Sequence, residues 1–215
     1  MVTLRPVRLF AMIAVAFTLM PFGEARAAST TPQVTSSDKT VRPGLLQPAD
    51  LVGFGKLTKV PLREAKLFED PDPRGPCGAK IRAPKASAGS TVVFSLPGGV
   101  IVNSVIRLSG KKASSLMDEI TSDAVTGCAA YTSTTNRGET QTVSTTIVEL
   151  PPVGDQRVGA TSMISVGGQT AYAGSVRMRR GDYLNSAAAL SSTPIPQDVV
   201  QVLAARMDTA LQRLP

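Results

Sequence analysis

Residues 90–125 read STVVFSLPGGVIVNSVIRLSGKKASSLMDEITSDAV, and the periodicity of this stretch changes halfway along it. Thr91 to Leu96 and Val100 to Leu108 are runs rich in β-branched residues, joined by Pro97-Gly98-Gly99, which predicts a β-hairpin. From Lys111 to Val125 the spacing becomes helical, with Ala113, Leu116, Met117, Ile120 and Ala124 on one face. A hairpin leading straight into an amphipathic helix places the chain in the α+β class.

The same alternation continues towards the C-terminus. Thr140 to Leu150 and Val158 to Val166 flank a turn at Pro151-Pro152-Val153-Gly154-Asp155. Gly167-Gly168 turns into Thr170 to Arg179, where Tyr172, Val176 and Met178 are expected inside. Ala173, Ser175, Arg177 and Arg179 of that strand are expected on a wet face. Arg180-Gly181-Asp182 then turns into Tyr183 to Leu190. Pro196 opens a last helix whose apolar stripe is Val199, Val200, Leu203, Met207, Ala210, Leu211 and Leu214. The expected fold is an antiparallel β-sheet packed against helices, without internal repeats.

Upstream, residues 69–78 (EDPDPRGPCG) read as loop. Order is expected from Leu45, with Pro48 in the first turn of a short helix. Residues 28–44 are dominated by Ser, Thr, Gln and Pro and read as a spacer. Residues 1–27 have the form of a signal peptide: Arg5 and Arg8, an apolar run from Leu9 to Met20, then Ala25-Arg26-Ala27. Cleavage is expected between Ala27 and Ala28. The apolar run is shorter than the roughly 20 residues that span a bilayer, so an uncleaved anchor is the weaker reading. No stable membrane insertion is expected after cleavage, and the domain runs from 45 to 215.

Cleavage would lower the formal charge from +7 to +5, through loss of Arg5, Arg8, Arg26 and Glu24. That excess is spread along the chain and aromatic residues make up 4%, which argues against nucleic-acid binding. Histidine is absent, which removes the commonest general base and metal ligand. Cys77 and Cys128 are the only cysteines, and in an exported chain such a pair is expected to form one disulfide. Closing the span from 77 to 128 would stabilise the fold by about 4 kcal/mol, less any strain.

Three patterns invite a catalytic or binding reading, and each has a plainer one. Ser109-Gly110-Lys111-Lys112 fits S-x-x-K, in which Lys112 would activate Ser109, but the companion motifs of such enzymes are missing. A serine N-cap followed by solvated lysines accounts for the same residues. Glu69, Asp70 and Asp72 lack the spacing and central glycine of a calcium loop. Arg180-Gly181-Asp182 is an integrin-binding tripeptide elsewhere, but between two strands it reads as a turn. No catalytic, cofactor or metal site is therefore expected.

The order of short motifs resembles the extracellular sensor domain of actinobacterial serine/threonine kinases of the PknH type. The residues that carry the resemblance are Leu45-Leu46 with Asp50-Leu51, Cys128 after the first long helix, and Val153-Gly154-Asp155. Arg180 to Leu184 and Ala205-Arg206-Met207 complete it, so that it spans Leu45 to Leu214. The resemblance implies an α+β sandwich with a cleft for an extracellular ligand, and no catalysis. The chain departs from the kinase form in lacking a kinase domain and a membrane helix, and in having one potential disulfide where two are usual. The expected function is a secreted, non-enzymatic, sensor-like domain that binds a small ligand or a cell-envelope component. A secreted serine hydrolase using Ser109 and Lys112, and a protein–protein interaction module, are the alternatives.

Overall fold

A computed structural model describes residues 38–59, 86–108, 111–125, 130–134 and 140–215. The expected hairpin is present as β2 (Ala88–Leu96) and β3 (Gly99–Arg107), following a two-residue β1 (Thr58–Lys59). The expected helix is α1 (Lys111–Val125), with its five apolar positions all buried. Four strands follow the short β4 (Tyr131–Thr134): β5 (Thr140–Val148), β6 (Gln156–Val166), β7 (Gln169–Arg180) and β8 (Tyr183–Ser191). Helix α2 (Gln197–Leu211) ends the fold, with Pro196 as its N-cap rather than its first residue.

The eight strands of the described residues join one antiparallel sheet in the order β1-β2-β3-β8-β7-β6-β5-β4. The β2–β3 hairpin thus docks beside the last strand, which is a long-range pairing. Neither β1 nor β4 was legible in the sequence, because two to four residues are too few to show alternation.

The two helices cover opposite faces. Beneath α2, Leu203, Met207 and Leu211 meet Ile101, Val105, Val176, Met178 and Ala187. Beneath α1, Leu116, Met117 and Ile120 meet Leu184, Val158 and Ile106. This corrects the expected wet face of β7. Ala173 is buried, because it shares the α1 side with Val100, Val143, Ile164 and Leu190 in a third apolar cluster. Tyr172 in turn is only partly buried. A sheet covered on both sides carries no clean inside–outside alternation.

The ordered region also begins earlier than expected. Val41 is fully buried and Arg42–Gly44 forms a 3-10 turn, so residues assigned by composition to a spacer belong to the domain. A second 3-10 helix, Pro48–Leu51, follows and carries a capping box between Gln47 and Asp50. Asn103 of β3 and Asn185 of β8, both fully buried, hold this segment to the sheet. Asn103 Oδ1 accepts from Leu46 N at 2.8 Å, and Asn185 Nδ2 donates to Gly44 O at 3.2 Å. The two side chains also bond each other, Asn103 Nδ2 donating to Asn185 Oδ1.

Candidate functional site

The motif-like turns come together at one corner of the sheet, where they act as fasteners. Asp155 Oδ2 accepts from Gly181 N at 2.8 Å and pairs with Arg179 at 3.2 Å. Arg179 Nε donates to Gln156 Oε1 at 2.6 Å, and Gln156 Nε2 donates to Asp118 of α1 at 2.6 Å. On the other face, Asp208 Oδ1 of α2 accepts from Gly154 N at 2.9 Å and from Arg180 Nη2 at 2.7 Å. The two turns therefore strap both helices to the sheet. Arg180 is engaged with Asp208, and Gly181 sits at φ +56° in the β7–β8 turn. The tripeptide is a structural turn.

The other sequence candidates do not assemble into a site. Lys112 is exposed in the first turn of α1, while Ser109 lies outside the described residues. Cys77, Cys128, Ala27, Ala28 and the acidic residues Glu69, Asp70 and Asp72 also lie outside them. Among the described residues no group of three or more His, Cys, Asp and Glu is placed to hold a metal ion. Among them, too, no helix is long and apolar enough to cross a membrane.

A different arrangement stands out on the α1 face. Helix α1 covers one end of the sheet there, and the Val100, Leu190, Ala173, Ile164 and Val143 cluster occupies the other. Between them the pairing registers line up Val102, Ala188, Ser175 and Ala160 across β3, β8, β7 and β6. Ser104 and Ser186 face each other one step nearer α1. Val102, Ser104, Ser175, Ser186 and Ala188 are all partly exposed, while Ala160 is buried. They form a partly exposed strip, mostly of serine and alanine, between two buried apolar clusters on the same side of the sheet.

The strip is lined by hydroxyl pairs. Thr91 Oγ1 and Ser104 Oγ lie 2.8 Å apart at one side, and Thr145 Oγ1 and Ser162 Oγ lie 2.9 Å apart at the other. Arg177, directly opposite Ser186, brings the nearest charge on these strands and is itself engaged. Such a surface can donate and accept hydrogen bonds with little desolvation of charge. The sequence carried a signal for it. Strand β8 contains Ser186-Ala187-Ala188-Ala189, small residues that strands otherwise disfavour.

Among solved structures, this fold is similar to that of the extracellular domain of PknH from Mycobacterium tuberculosis. The TM-score is 0.53 at 15% identity, over 80% of this chain and 94% of that one. No family model matches the chain, and no curated protein matches it. The likeness establishes the architecture: one antiparallel sheet with helices packed on it.

Proposed function

We propose that this chain is an extracellular, non-enzymatic, sensor-like module that takes a small, largely uncharged ligand or envelope component on the Ser/Ala strip. The observation that carries the reading is a partly exposed strip, mostly of serine and alanine, lying between two packed clusters. Small-molecule recognition uses a few placed polar groups beside apolar side chains, and the strip sets hydroxyls next to two apolar clusters. The likeness to a kinase's extracellular domain supports a binding role, and the signal-peptide pattern of residues 1–27 supports placement outside the cell.

The test uses the purified protein and polar envelope extracts, with its melting temperature as the readout. Fractions that bind should raise the melting temperature of the native protein. They should fail to raise that of Ser175→Leu, which fills the strip. No shift with any fraction, or equal shifts in both proteins, would overturn the assignment.

A further inference from the structure

The sheet face that packs α2 also has an exposed part. Ile195 and Val200 are seated on Gly174 of β7, where a Cβ would lie 2.9 Å from a methyl carbon of each. Strand alternation puts Tyr172 on the same side as Gly174, one row nearer the Gly167-Gly168 turn. That row sets Ser144, Met163 and Tyr172 side by side across β5, β6 and β7. The row after it sets Thr142, Ser165 and Thr170 side by side. Thr142, Ser144 and Thr170 are exposed, Met163 is 45% exposed, and Ser165 and Tyr172 are partly so.

The patch therefore has a small apolar centre, Tyr172 opposite Met163, bordered by hydroxyls. Ser165 Oγ and Thr170 Oγ1 lie 3.3 Å apart, and either can donate. Charge is absent from Thr140 to Val148 and from Val158 to Val176. In sequence, Glu139 and Glu149 flank the first stretch, and Arg157 and Arg177 flank the second. Asp198 stands in the first turn of α2. This mixed border gives a polyanion no basic track to follow. One tyrosine and one methionine are too little apolar area to dock a protein or an acyl surface, and serine is depleted from protein interfaces. A neutral polyhydroxylated chain matches both parts of the patch, since it presents C–H groups to a ring and hydroxyls to hydroxyls.

We propose that the Tyr172–Met163 patch binds a neutral polysaccharide, with sugar C–H groups on the tyrosine ring and sugar hydroxyls bonded to the Ser/Thr border. An open sheet face takes a segment of a long chain, where a closed pocket would take a small molecule. The patch lies on the α2 face, opposite the Ser/Ala strip, so the two sites stand or fall separately.

Native gels cast with glycogen, mannan or a soluble β-glucan test this, run towards the cathode because the protein carries a net positive charge. At least one of the three should retard the parent, and added salt should not release it. Tyr172→Ala should weaken binding about tenfold. Met163→Lys, at an exposed position, should weaken it too while leaving the melting temperature unchanged. Ser175→Leu, on the opposite face, should bind like the parent. No retardation by any of the three, or retardation kept by either patch variant or lost in Ser175→Leu, would overturn the proposal. Binding released by salt would also overturn it, as attraction between charges. So would sedimentation showing that Met163→Lys breaks up a dimer, which would assign the patch to a second copy.

Discussion

The corner network shows how single residues fix this fold. Gly154 and Gly181 both have positive φ, at +61° and +56°, so a side chain at either position is strained. Their surroundings differ. A Cβ on Gly154 would lie 2.7 Å from the Arg179 carbonyl oxygen, whereas nothing lies within 4 Å of one on Gly181. Gly181→Ala should therefore cost about 1 kcal/mol, the strain alone. Gly154→Ala should cost about 3 kcal/mol, because backbone must also shift and the bond to Asp208 is disturbed. Urea unfolding of the two variants checks the ranking, and equal losses would contradict it. The motifs that carried the family resemblance are largely these fasteners, which is why they report architecture and not ligand.

Among the elements, β3 and β8 bear the greatest demands, because each must pair on both sides and anchor the N-terminal segment. A buried amide is costly unless bonded, and Asn103 meets that condition through Leu46, Asn185 and Ser186. Asn103→Ala strands the Leu46 N–H and part of Asn185 in a fully buried place, and should cost about 3 kcal/mol. The denaturation midpoint should fall with an unchanged slope. A loss under about 0.5 kcal/mol would mean that the segment is not anchored this way. The sequence announced β3 by its β-branched run, yet gave no hint that Asn103 faced inward, since polar residues in a strand normally mark the wet side.

For the whole molecule, the decisive contact closes the two ends of the domain on each other. Arg213, just past α2, donates to Pro43 O and Leu45 O, each at 2.8 Å, and to both carboxylate oxygens of Asp50 at 2.8 and 3.0 Å. Burial pushes the Asp50 carboxyl up. Hydrogen bonds from Arg213 and Gln47, with the charges of Arg213 and Arg206, outweigh it and hold the group below its ordinary value. A lowered carboxyl stabilises the fold above its unfolded value of about 3.9, and that contribution disappears as pH falls through the lower folded value. Arg213→Ala should speed amide exchange across residues 41–51 at neutral pH. The stability gap between it and the parent should narrow below about pH 4. A gap that stayed constant through that range would show that the pair contributes nothing through charge.

The sequence by itself determined the class and most of the elements: the hairpin before residue 108, both helices, and the strands joined by Gly167-Gly168 and by Arg180-Gly181-Asp182. These are local properties, set by periodicity and by residues that permit particular turns. Tertiary structure alone decided which faces are covered. It turned Ala173 inward, drew Val41 and Asn103 into the core, and left a strip of serine and alanine partly exposed on the α1 face. The physical reason is that burial depends on what a distant segment brings to the sheet. The β2–β3 hairpin pairing with β8, and two helices on opposite faces, bring together residues whose spacing in the chain carries no trace of it.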